Sequence, residues 1–287
     1  MDATQQAFIR RLRNQWSNVL LFGSMILLTS AGLAAGAALG VTFAGRLPAV
    51  FPAFKLAFVL VGILGGFSGG VFLSLLVSPF TLRHAFFARA IGEWNGVSLY
   101  AAADSDLPGK LPNVFVSGFS FGRGIFRPVI FASEGALKLL APSALEAVFA
   151  HELSHLNQNH LLKRMLRAIG TFIVASVLTA ATLIGMHWSG YANLGGAFSL
   201  VAGIIPALLT WMTMRQLLWD QEFEADETAM KIFQIKATSL LEALTTLQAA
   251  IERSTGSKAH PLVSERILRL EQLAKVKKLP TVELQAA

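Results

Sequence analysis

Three long stretches of the chain contain no Asp, Glu, Lys or Arg: between Arg13 and Arg46, between Lys55 and Arg83, and between Arg167 and Arg215. A helix crossing the hydrocarbon core needs about 20 apolar residues. The first two gaps therefore predict one span each, about Asn18 to Ala44 and about Leu56 to Phe80. The third gap, 168–214, has room for a helical hairpin, about Ala168 to His187 and Gly195 to Met214, turning at the polar stretch Trp188 to Asn193. The expectation is a multi-pass membrane protein with four spans. Composition agrees, because 54% of residues are hydrophobic and only 14% charged, against about a quarter charged in soluble domains. A net charge of +7 then points to the lipid bilayer as partner, with no nucleic acid.

The uncharged run after the basic start MDATQQAFIRRLRNQW is about twice the length of a cleavable signal core, so it reads as a span. Basic residues near span ends set orientation. Arg10, Arg11, Arg13, Arg83, Arg89, Lys163, Arg164, Arg167 and Arg215 fall on one side, against Arg46 and Lys55 on the other. Both termini and both polar segments are expected in the cytoplasm. The predicted domains are 1–80, with two spans; 81–167 together with 215–287, one discontinuous polar domain; and 168–214, the hairpin. The fold class expected is a mainly α membrane protein, its polar domain α+β with a short hairpin or sheet from LPNVFVSGF and FRPVIFAS. The Gly-rich SGFSFGRG between those strands matches no phosphate-binding spacing and reads as a hairpin loop.

The chain has no cysteine, which excludes disulfide scaffolds, thiol catalysis and Cys-ligated metals. A metal would have to be held by His, Asp or Glu. From Ala141 the sequence APSALEAVFAHELSHLNQNHLL is helical in period, and Ser143-x-x-Glu146 has the form of a capping box. Inside it lies HELSH, residues 151–155. Histidines four apart leave one helical face at neighbouring heights, so His151 and His155 can reach one ion. Glu152 sits where a carboxylate can take a proton from an attacking water. In WDQEFEADETAMKIF the helical phase puts Glu222 and Asp226 on one face and Glu224 roughly opposite. Glu222 is the expected third ligand, Asp226 the acceptor for a ligand's second ring N–H. Glu224 and Glu227 read as a solvated face. His160, His187 and His84 fit no ligand spacing; His160 reads as solvated, His187 as interfacial.

HELSH, EFEAD (222–226) and HPLVSER (260–266), with LPNVFVSG and SEGALKLL upstream, resemble the HtpX-like membrane zinc metallopeptidases, gluzincins related to the CAAX prenyl endopeptidases. The resemblance implies one Zn2+ per chain, with the first Glu of E-x-x-A-D as third ligand, in agreement with the phase argument for Glu222. It also implies a substrate-pairing edge strand at Asn113 and a histidine, His260, able to donate to the oxyanion. Arg266 reads as a structural anchor. One departure is the segment 117–133, several residues longer than the usual version.

The expected function is a membrane-embedded zinc endopeptidase of the bacterial inner (plasma) membrane, acting on membrane-protein or unfolded polypeptide substrates in quality control or stress response. Other membrane quality-control proteins are its expected further partners. His155 precedes the third span by 13 residues and Glu222 follows the end of the fourth span by 8. Continuous helices would then put the metal about 10 to 20 Å from the membrane surface. The rival readings are a catalytically inactive membrane adaptor or scaffold that keeps the fold, a transporter, and an intramembrane protease. Transporters usually carry an ionisable group inside a span, and polar Asn157 to Arg164 follow HELSH, so its helix is not itself a span.

Overall fold

The computed structural model describes residues 3–46, 52–107, 111–188, 195–255 and 261–276. The chain divides into two compact units, Met1–Leu82 with Gly122–Phe126 and Asn159–Leu218, and Arg83–Phe121 with Arg127–Gln158 and Trp219–Ala287.

The first unit is helical. It holds α1 (Ala3–Gly45), most of α2 (Pro52–Ala85), α5 (His160–Trp188) and the first part of α6 (Gly195–Lys231). Among the described residues, Gly23–Gly45 and Gly65–Ala85 are long and apolar enough to cross a membrane. The expected hairpin turn falls on 189–194, outside the described residues. The small residues of α1 have a packing role: a Cβ on Gly32 or Gly36 would overlap the backbone of Gly66 or Gly62 in α2, and the reverse also holds. Glycines four apart on both helices let the two backbones approach closely. Gly36→Leu is expected to cost at least about 1–3 kcal/mol, as overpacking does, because backbone cannot yield as a rotamer can. Gly23 meets no atom within 4 Å, so Gly23→Leu should leave stability unchanged. Thermal unfolding in detergent compares the two, and equal melting would contradict this packing.

The second unit is α+β. Strands β1 (Arg89–Trp94), β2 (Val97–Ala102), β3 (Val114–Ser117) and β4 (Val129–Ser133) form a mixed sheet in the order β1-β2-β4-β3. β3 and β4 are the expected antiparallel pair, with Phe115 opposite Phe131. β2 lies parallel to β4. The β1–β2 hairpin was not read from sequence, although Asn95-Gly96 marks it: both residues have positive φ (47° and 79°), the two-residue turn that matches strand twist.

Every residue of β4 is buried. On one face Phe131 meets Phe86, Phe115 and Tyr100. On the other, Ile130 and Ala132 join Val148, Phe149 and Leu153 in the main core, contributed by α4 (Pro142–Asn157). The short α3 (Glu134–Leu139) precedes α4, and α7 (Ala237–Thr255) and α8 (Pro261–Val276) follow α6.

Two local expectations are corrected. The α4 N-cap is Ala141, with Pro142 opening the helix and no side-chain cap bond, so Ser143 and Glu146 lie within the first turns and form no capping box. Proline's fixed φ starts the helix instead. His160 is 1% exposed, not solvated: the chain turns at Asn159, whose φ is 54°, and His160 opens α5 as a buried side chain.

Candidate metal centre

Helix α4 is anchored by its apolar face in the main core, and that fixes the direction of the opposite turn of residues. His151 and His155, one turn apart, stand with their rings edge to face at 4.7 Å between centroids. Their Nε2 atoms are 3.1 Å apart. α6 brings up Glu222, whose Oε2 is 3.4 Å from His151 Nε2 and whose Oε1 is 3.5 Å from His155 Nε2. These three residues form a group able to hold a metal ion. A tetrahedral ion bonded at about 2.0–2.1 Å would hold its donor atoms about 3.3–3.4 Å apart. The observed 3.1–3.5 Å fits that set.

The next shell of groups is equally ordered. Asp226, one turn beyond Glu222, has Oδ1 2.8 Å from His151 Nδ1, so the ring presents Nε2 to the ion while Nδ1–H donates to the carboxylate. Arg266 on α8 grips Asp226 with two bonds, Nε to Oδ2 at 2.8 Å and Nη2 to Oδ1 at 2.7 Å. A further bond from Arg266 Nη1 reaches Glu222 Oε2 at 2.9 Å. The guanidinium thus locks both Glu222 and Asp226 in place. The anchor role expected for Arg266 acquires these partners, which no spacing in the sequence discloses.

Glu152 points to the sheet, where Val116 N–H donates to its Oε2 at 3.0 Å. β3 is one of the sheet's two edge strands. Asn113 precedes it, and Val114 N–H donates to Asn113 Oδ1 at 2.9 Å. Asn113 itself is tied to β4, its carbonyl accepting from Ser133 N–H. Asn113, His151, Glu152, Glu222 and Arg266 share one cavity. His260 lies outside the described residues. Glu224 stands outside the ligand group, and Glu227 pairs with Lys231 and Arg269 instead.

Glu152, Glu222 and Asp226 carry three negative charges when ionised, against the single positive charge of Arg266. Without a metal the surplus draws protons. Burial and the Arg266 charge disfavour protonated His151, yet the Asp226 and Glu222 carboxylates outweigh them and push it up to about 9. Burial, aided by Glu222, raises Glu152 to about 7. Burial also opposes the charge on Glu222 and Asp226, but His151 and Arg266 hold both well below the usual carboxylate range, Glu222 at about 2. A divalent cation would take the place of the protons, and the donor set is suited to it.

A family profile described as Peptidase family M48 matches residues 99–274. Among named relatives, "Protease HtpX homolog" of Campylobacter concisus is 26% identical over 195 residues, covering 58% of this chain and 66% of the relative. "Protease HtpX homolog 2" of Methanosarcina mazei is 24% identical over 192 residues, covering 57% and 64%. "Protease HtpX homolog" of Pelotomaculum thermopropionicum is 28% identical over 202 residues, covering 58% and 68%. The chain spans about two thirds of the length of these curated relatives. No solved structure matches it significantly.

Proposed function

The chain belongs to peptidase family M48, a metallopeptidase family, and on that premise we propose that it is a zinc endopeptidase whose ligands are His151, His155 and Glu222. The observation that carries this reading is the spacing of the three ligand atoms, with Glu152 in the same cavity. When bound, zinc supplies a Lewis acid that polarises the scissile carbonyl and acidifies water.

The rest is the work of side chains and strand. An extended peptide pairs with the β3 edge and takes over the Val114 and Val116 amides, now bound to Asn113 and Glu152. Glu152 is thereby released toward the attacking water, accepts its proton and passes one to the leaving amine. Asp226 and Arg266 hold the ligands in position.

The long uncharged runs and the basic asymmetry support a four-span protein of the bacterial plasma membrane with a cytoplasmic site. Glu222 lies on the same unbroken helix as the fourth predicted span, Gly195 to Met214. Substrates are then membrane proteins, or unfolded polypeptides, reached from the cytoplasm, as quality control requires. Membrane vesicles provide the test. Inverted vesicles, with the cytoplasmic face outward, are expected to hydrolyse added unfolded casein and to stop when a zinc chelator is added. Hydrolysis confined to right-side-out vesicles would contradict the orientation, and chelator-resistant hydrolysis would contradict the metal.

A further inference from the structure

Helix α7 carries none of the motif residues, yet it forms one wall of the metal-centre cavity. The cavity is about 190 Å³, smaller than the roughly 300–1,000 Å³ of small-molecule sites and on the scale of one amino-acid side chain. Beside His151, Glu152 and Glu222 the lining is mostly apolar: Val148 from α4, and Leu240, Ala243, Leu244 and Leu247 from α7, with Gln248 the polar residue that α7 adds. Their spacing of three, one and three residues places the α7 set on one helical face. Leu240 and Ala243 are fully buried, whereas Leu244 and Leu247 are only half-buried. Apolar surface is therefore left uncovered beside the groups that act on a peptide carbonyl. An acidic side chain placed there would sit against Glu152 and Glu222.

We propose that this face of α7 sets cleavage preference, the cavity receiving a Leu, Met or Phe side chain that flanks the scissile bond, with Ala243 as the floor that limits its size. The proposal rests on the peptidase reading and names the substrate feature that site selects. An apolar pocket discriminates between side chains by on the order of 10- to 200-fold per methylene in kcat/KM.

The test uses the zinc-loaded full chain in detergent with a peptide library randomised around a fixed core, the products being sequenced. The wild type is expected to favour Leu, Met or Phe on one side of the cut by at least about 10-fold over Asp or Ser. Ala243→Leu, which raises the floor, should move the preference to Gly and Ala by about 10-fold. Leu247→Ala, which cannot overpack the core, should relax it toward Tyr and Trp, and this variant decides the matter if Ala243→Leu does not fold. These are ratios between peptides, which a general loss of stability would not move. Cleavage that Glu152→Gln abolishes but that shows no apolar preference, or a preference unmoved by Leu247→Ala, overturns the pocket assignment and leaves the peptidase reading standing. Absence of any Glu152-dependent cleavage overturns both.

Discussion

Glu152→Gln is expected to lower peptide hydrolysis by at least about 100-fold, the lower range for loss of a general base, while zinc content stays at the wild-type level. Gln has the size of Glu, and its amide oxygen can still accept from Val116 N–H, so the fold loses no partner. What it loses is proton affinity. In the metal-free site burial raises the Glu152 carboxyl to about 7, whereas the Gln amide has no comparable basicity. None of the three ligand atoms belongs to Glu152, so the metal should be unaffected. Steady-state hydrolysis and metal analysis on the same preparation separate the two effects. A Gln variant that is zinc-loaded and active would mean that another group activates the water.

The second large effect is an ordered series along α6. Glu222→Gln is expected to abolish activity and weaken zinc strongly, because it removes a charged ligand. Asp226→Asn should cost about 10- to 100-fold in affinity or activity, since His151 Nδ1 keeps a neighbour but loses the carboxylate that orients it. Glu224→Gln should be nearly silent. All three residues share one helix within five positions, so general damage to that helix would hurt them alike. Zinc titration and kcat/KM across the series give the ranking. If Glu224→Gln were the variant to strip the metal, the assigned helical face would be wrong.

The parts of this site visible in the sequence are those set by helical period within one segment. His151 and His155 converge because four residues nearly complete a turn, and Glu222 and Asp226 share a face for the same reason. What joins the segments is not periodic. Arg266 lies 115 residues from His151 and 40 from Asp226, and its fork across both acidic residues emerges only when α8 docks. The bond from Val116 N–H to Glu152 involves backbone, which leaves no trace in residue identity. α7 carries an apolar stripe that any core helix could carry, so its place beside the metal group could not be read.

Local rules also misled in identifiable ways. Ser143 and Glu146 satisfy the capping-box spacing, but Pro142 begins the helix one residue earlier. His160 follows polar Asn157, Gln158 and Asn159, which suggests solvent, while the turn at Asn159 buries it. Asn95-Gly96 is a strong hairpin signal, but β1 has no apolar alternation to mark it as a strand: Arg89 to Glu93 are all exposed. The packing role of Gly32, Gly36, Gly62 and Gly66 depends on a partner helix.

The account stands on a metal held by side chains of two helices, α4 and α6. Zinc content of the purified protein, measured beside a His151→Ala, His155→Ala double variant, tests this most directly. About one zinc per chain is expected in the wild type and none in the variant. Full retention of zinc by the double variant would contradict it.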